Sequence, residues 1–245
     1  MHPAEVSRHP ERTPPAPGTY RAAAARIAPY VRRTPVLRAT ADGRPVAFKL
    51  EHLQVTGVFK IRGALNALLS NRPAHVVTAS GGNHGLGVAT AARWLSIPAT
   101  VFVPATVPEV KARRIVAAGA EVVKTGSVYA EAEAAARDFA ARDRLYYVHA
   151  YDDPAVVAGQ GTAGLEILQD IPDCDAVAVP VGGGGLLAGV TGALAPVQAV
   201  GVEPEGCPTL HAAAATVFAA WLSGQVPGDN PCLLLSGANA DWIPA

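Results

Sequence analysis

Cysteine is scarce in this sequence. Among 245 residues there are three, Cys174, Cys207 and Cys232, widely spaced and with no CxxC pair. That pattern argues against a zinc site or a disulfide framework and fits a reducing, cytoplasmic compartment. An excess of either charge is also missing, since Lys+Arg 20 against Asp+Glu 20 leaves a net charge of 0. Such a balance argues against a nucleic-acid partner and against a polybasic membrane anchor. An uninterrupted apolar run of membrane-spanning length is lacking too. Ala176–Val202 comes nearest, but Pro180, Gly182–Gly185 and Pro196 break it, so no membrane association is expected. The first residues carry Pro3, Pro10, Pro14, Pro15 and Pro17 with charges between them and no apolar h-region. Residues 1–17 are therefore expected to form a disordered tail and not a signal peptide.

What is present points to an α/β protein. Half the residues are hydrophobic, ample for a core, and the length fits one large domain or two small ones. From residue 45 onward short β-branched runs alternate with Ala-rich stretches. Strands are expected at Val46–Leu50, His75–Thr78, Thr100–Val103, Glu121–Lys124, Tyr146–Val148, Asp175–Val181, Gln198–Val202 and Cys232–Leu235. Helices are expected at Lys60–Leu69, after the glycines at 81–82, and at Pro108–Ala118. Further helices follow at Ser127–Ala141 (capped by Ser127), from Asp153-Pro154 to about Gln169, at Leu186–Leu194 and at Thr209–Leu222. Strands alternating with helices imply mostly parallel sheets, which bind ligands where strand C-termini meet helix N-termini.

Four such places carry chemistry. Gly182-Gly183-Gly184-Gly185 lies between a strand and a helix. Consecutive glycines let backbone N–H groups converge on an anion, and the helix dipole adds to the pull. No Lys-Ser/Thr follows, so this is not a Walker A loop. Gly183, Gly185 and Ala188 match G-x-G-x-x-A, with Glu203 at the end of the next strand, which keeps a dinucleotide enzyme in play on this clue alone. Close helix–strand packing is the plainer alternative. Ser80-Gly-Gly-Asn-His-Gly85 offers N–H groups, a hydroxyl and a carboxamide at a second helix start, suited to a carboxylate or to a ring hydroxyl. It could equally be a simple N-cap, and His84 reads as a scaffold residue in preference to a base. Lys60 opens a third helix, where a cation opposes the dipole. It is either a solvated lysine or an amine of lowered pKa ready to form a Schiff base. Leu233-Leu-Leu-Ser236-Gly-Ala-Asn239 runs a strand into a small polar turn, or is an ordinary strand exit.

Together these segments resemble the fold-type-II pyridoxal-phosphate enzymes (tryptophan synthase β-like), in particular the threonine/serine dehydratase (threonine ammonia-lyase) and serine racemase group. The resemblance runs roughly from Tyr20 to Asp241. It rests on Arg33-Thr-Pro-Val-Leu37, Lys49-Leu-Glu-His-Leu-Gln54, Thr56-Gly-Val-Phe-Lys-Ile-Arg-Gly-Ala64 and Ser80-Gly-Gly-Asn-His-Gly85. It rests also on Asp152-Asp-Pro154, Gly159-Gln-Gly-Thr162, Pro180-Val-Gly-Gly-Gly-Gly185, Gly201-Val-Glu-Pro204 and Ser236-Gly-Ala-Asn239. So many motifs in order displace the dinucleotide reading, which explains one of them.

The resemblance implies an α/β fold of two open parallel-sheet domains with pyridoxal 5′-phosphate between them. Residues 18–70 and 151–245 would form the large cofactor-binding domain. Residues 71–150 would form the small domain that closes on substrate. It implies that Lys60 holds the cofactor and then serves as the base at Cα. Gly182, Gly183, Gly184 and Gly185 would bind the cofactor phosphate, Asn83 the ring hydroxyl and Ser236 the pyridine nitrogen. Phe59 would flank the ring. Ser80, Gly81, Gly82 and Asn83 would grip the substrate carboxylate. A neutral Ser at the ring nitrogen makes a milder electron sink and favours prompt β-elimination. The implied activity is conversion of L-threonine or L-serine to a 2-oxo acid and ammonia, by a homodimer acting on a small amino-acid substrate.

The departures bear on that reading. Serine racemases of the group carry a second Ser where this chain has Gly81, which ranks isomerisation below elimination. Val58 replaces the usual Ser before Phe59-Lys60. Thr209 stands where some relatives have a metal-binding Asp, so no metal is expected. Between His211 and Phe218 the group usually has about 70 further residues that cover the second face of the cofactor. An internally shortened chain of this kind could also be a catalytically impaired homologue lacking part of the active-site wall.

Overall fold

A computed structural model describes residues 15–203 and 213–237. The expectations for residues 1–14, for Cys207, Thr209 and His211, and for Asn239 lie outside that range. Among the described residues no helix is long and apolar enough to cross a membrane.

The order is α1 (Pro17–Ile27), β1 (Val36–Ala41), β2 (Arg44–Lys49), α2 (Lys60–Asn71), β3 (Val76–Ala79), α3 (Asn83–Trp94), β4 (Ala99–Val103), α4 (Glu109–Ala117) and β5 (Glu121–Lys124). There follow α5 (Tyr129–Asp143), β6 (Tyr146–Tyr147), α6 (Pro154–Asp170), β7 (Ala176–Pro180), α7 (Gly185–Leu194), β8 (Gln198–Val202), α8 (Ala213–Leu222) and β9 (Cys232–Leu234). One sheet runs β1-β2-β9-β7-β8 and the other β5-β4-β3-β6. Every pairing is parallel except β1 with β2. Strands β3, β4 and β7 are buried at every residue. That is why their sequences are apolar runs without alternation: helices cover both faces.

Three features differ from expectation. Helix α1 and strand β1 stand where the sequence reading placed no element, and β1 adds an antiparallel edge to an otherwise parallel sheet. Asp42 and Gly43, both at positive φ, close this hairpin, as a tight two-residue turn requires. The third correction concerns Ser127, which does not cap α5. Val128 is the N-cap residue, without a side-chain bond, and Ser127 instead donates from its N–H and hydroxyl to Glu131. By contrast Asp153 does cap α6, accepting from the N–H groups of Ala155 and Val156 at 2.7 and 3.1 Å, with Pro154 in the first turn.

Helix α2 runs through the middle of the molecule, packed against α3 and α6. Its residues 61–68 are all buried, so it is central and not merely amphipathic. Glycine permits the close approach: a Cβ on Gly159 of α6 would lie 2.5 Å from the carbonyl oxygen of Arg62. An ionic cluster locks the same helix. Arg62 is clasped by Glu51, at 2.8 Å from both Nε and Nη2, and by Glu166, at 2.7 Å from Nη1 and 3.0 Å from Nη2. Lys49, with no exposed side-chain surface, pairs with Glu166 at 2.7 Å and Asp170 at 3.2 Å. Burial alone would push Glu51 up, but the charge of Arg62 and the hydrogen bonds from Arg62 and Thr34 hold it below the usual carboxylate range.

Candidate active site

The C-terminal ends of β3, β7, β8 and β9 and the N-termini of α2, α3 and α7 converge on one cavity of about 570 Å³, in the range of small-molecule sites. Phe59, Lys60, Ser80, Gly81, Gly82, Asn83, Gly182–Gly185 and Ser236 all line it. The structure thus brings every site residue expected from the sequence to one place.

Lys60 is the first residue of α2. Its Nζ donates to the Ala150 carbonyl at 2.9 Å and lies 5.2 Å from the centroid of the Phe59 ring. Burial lowers its pKa to about 8, so a substantial neutral fraction exists near physiological pH. Phe59 is tied to the opposite strand end, its N–H donating to the Ser236 carbonyl at 3.2 Å. An isolated bridge between Val58 and Gly237 extends this tie. Ser236 is buried.

The glycine loop before α7 is shaped by a neighbour. A Cβ on Gly183 would fall 2.2 Å from Cδ1 of Tyr151, and one on Gly185 would meet the Tyr151 carbonyl at 2.7 Å. Gly184 caps the helix at φ +81, a conformation that favours glycine. The loop therefore presents bare backbone at a helix N-terminus, the geometry that attracts an anion. At the α3 start the Gly82 N–H donates to the Ser80 hydroxyl oxygen at 3.2 Å. A Cβ on Gly81 would lie 2.5 Å from Cγ2 of Val107, so the space a larger residue would need is filled.

His84 is buried beside Lys60, and its Nε2 donates to the Val148 carbonyl at 3.3 Å. Burial, reinforced by the Lys60 charge, lowers its pKa to about 3, so it is neutral in the folded protein across the ordinary pH range. Sequence reasoning missed Tyr129 and Tyr151 as wall residues. Tyr151 precedes the Asp152-Asp-Pro154 motif and could have been found from it; Tyr129 has no such signal. Glu203 lines the cavity as well. Among the described residues no group of three or more His, Cys, Asp and Glu side chains could hold a metal ion.

Two parallel-sheet layers meeting at a lysine, a glycine cradle and a polar helix start define a class. The family model described as pyridoxal-phosphate dependent enzyme matches residues 27–230, and the chain belongs to that family, with its fold-type-II architecture. The L-threonine ammonia-lyase of Geobacter sulfurreducens is 47% identical over 178 residues, covering 69% of this chain and 44% of that protein. The catabolic L-threonine dehydratase of Staphylococcus aureus is 39% identical over 201 residues, covering 77% and 58%. The chain thus spans about half the length of the curated relatives it matches. Among solved structures, the T.th. threonine deaminase superposes with TM-score 0.85 at 33% identity, covering 94% of this chain and 100% of that one. The serine racemase of Dictyostelium discoideum gives TM-score 0.84 at 26% identity, covering 92% and 99%.

The residues present fit pyridoxal 5′-phosphate. A buried amine of lowered pKa suits its aldehyde, and the bare-backbone glycine loop at the N-terminus of α7 suits its phosphate.

Proposed function

We propose that this chain is a pyridoxal-phosphate-dependent ammonia-lyase that converts L-threonine or L-serine to a 2-oxo acid and ammonia. The observation that carries the reading is the convergence of the Lys60 amine, the 182–185 cradle, the 80–83 helix start and Ser236 on one cavity. When bound, the cofactor supplies an electron sink for the bond from Cα to hydrogen. Lys60 would hold it, Gly182–Gly185 would bind its phosphate through backbone N–H groups, Asn83 would meet its ring hydroxyl, and Phe59 would flank its ring. Ser236 would meet the ring nitrogen without charge, which keeps the sink mild and favours elimination. Ser80 and the N–H groups of Gly81 and Gly82 would orient the substrate carboxylate. Lys60, released on substrate binding, would take the Cα proton, a role its lowered pKa suits. L-Threonine would then lose its β-hydroxyl and end as 2-oxobutanoate and ammonia; L-serine would end as pyruvate.

The segment 71–150 would act as a small domain closing over the substrate, against a large domain of residues 18–70 and 151–245. The protein would work as a homodimer in the cytoplasm, a compartment that the free, buried Cys174 and Cys232 suit. Isomerisation of serine is the weaker reading, because Val107 fills the space that a serine at position 81 would need.

Purified protein supplied with the cofactor and L-threonine is expected to accumulate 2-oxobutanoate, and Lys60→Ala to accumulate none. D-Serine from L-serine without oxo acid would replace the lyase reading with the isomerase one. A wild-type protein as inert as Lys60→Ala would mark a catalytically impaired homologue.

A further inference from the structure

The loop between β6 and α6 touches the cavity twice. The Ala150 carbonyl accepts from Lys60 Nζ at 2.9 Å, and Tyr151 packs on the glycine cradle, its ring over Gly183 and its carbonyl oxygen, Cα and Cβ over Gly185. One side chain ties this loop down. His149 Nδ1 accepts from the N–H of Tyr151 at 3.3 Å and from the N–H of Asp152 at 2.8 Å. The His149 ring also meets the Tyr151 ring edge-on, centroids 4.5 Å apart.

The other ring nitrogen is fixed as well. His149 Nε2 lies 3.4 Å from Glu133 Oε1, and that carboxylate is held in place by Arg137, at 2.9 Å from Nε and 2.7 Å from Nη2. Arg137 in turn stacks on Tyr147 at 4.5 Å. A carboxylate can only accept, so Nε2 carries the proton and Nδ1 keeps its lone pair for the two backbone N–H groups. The charged and titratable groups around the ring are Glu133 and Arg137 on α5, Tyr147 on β6, His84 on α3, and Tyr151 and Asp152 on its own loop. Burial lowers the pKa of His149, and Glu133 opposes that shift only in part.

We propose that His149 is a positioning residue for the active site: its Nδ1 shapes the 149–152 loop, which holds the Lys60 amine through Ala150 and braces the glycine cradle through Tyr151. This rests on the cavity being a cofactor site, but the effect on Lys60 belongs to the protein alone. A histidine here does the work of an Asx turn, in which a side-chain acceptor takes the N–H groups two and three residues on. Asparagine can supply that acceptor at the position of Nδ1. Glutamine reaches instead to the position of Nε2, keeping a donor for Glu133 and losing the local acceptor.

The test compares wild type with His149→Asn, His149→Gln and His149→Ala, each first checked for an unchanged thermal unfolding transition. The readout is the pH dependence of labelling of the Lys60 amine by trinitrobenzenesulfonate in cofactor-free protein, followed by peptide mass. Wild type is expected to show a midpoint near 8. Ala and Gln variants, by releasing the loop and letting water reach the amine that burial had shifted, should move it upward by about one pH unit, a tenfold change in proton affinity, while Asn restores it. Added pyridoxal 5′-phosphate should bind about tenfold more weakly to the Ala and Gln variants. An unchanged Lys60 midpoint in folded His149→Ala, or equal behaviour of Asn and Gln, would overturn the proposal. If no variant, wild type included, binds the cofactor, the cofactor reading fails, and the Lys60 midpoints still decide the role of His149.

Discussion

Two buried bases set the chemistry of the cavity at the scale of single residues, and burial lowers the proton affinity of both. Lys60 gains a neutral fraction, and His84 loses its proton altogether in the folded state. The second has a consequence for stability. An unfolded chain protonates His84 with an ordinary pKa near 6.5, whereas the folded protein resists protonation down to about 3. A folded-state value below the unfolded one means that stability is intact above pH 6.5 and is lost as pH falls through that window. Between pH 6.5 and 5 the wild type should lose about 2 kcal/mol from this residue. Urea titrations across that range should show the loss, and His84→Gln should show a correspondingly flatter profile. The site residues themselves were legible because they lie in strand-end turns whose glycines and small polar groups have few other uses. Tyr129 was not: a single tyrosine at a helix start becomes a wall residue only through the way α5 faces the other layer. His149 was equally silent, since its role depends on two backbone N–H groups that no pattern of residue types displays.

Elements are tied together mainly at α2. Arg62 links that helix to the segment before it through Glu51 and to α6 through Glu166, with Lys49 and Asp170 extending the cluster to β2. Truncating Arg62 would strand Glu51, which has no exposed side-chain surface, as a buried and uncompensated charge. Arg62→Ala should therefore cost about 3–5 kcal/mol, seen as a lower urea midpoint. If the midpoint stays within error of wild type, the cluster contributes nothing to holding α2. The helices other than α1 and most strands were legible from periodicity, and Glu121–Lys124 and Gln198–Val202 were placed to the residue. Strand β1 was not, because its residues are exposed or half-buried and carry no alternation to read. The Asp42-Gly43 pair was the available signal for that hairpin. Ser127 misled for the opposite reason: a good capping residue stood near a helix start, but Glu131 took its hydroxyl and N–H groups.

At the scale of the molecule, the proposed activity depends on two sheets delivering their strand ends to one cavity. The resemblance read from the motifs carried that arrangement, and the alternation of β-branched runs with Ala-rich stretches carried no more than the α/β class. The proposed function stands or falls with Lys60 as the attachment point of the cofactor. It is tested most directly by mixing the protein with pyridoxal 5′-phosphate, trapping the covalent attachment with borohydride and mapping the modified peptide. One pyridoxyl group is expected, on Lys60, from a solution that turned yellow before reduction. Modification of another lysine, or none, would contradict it.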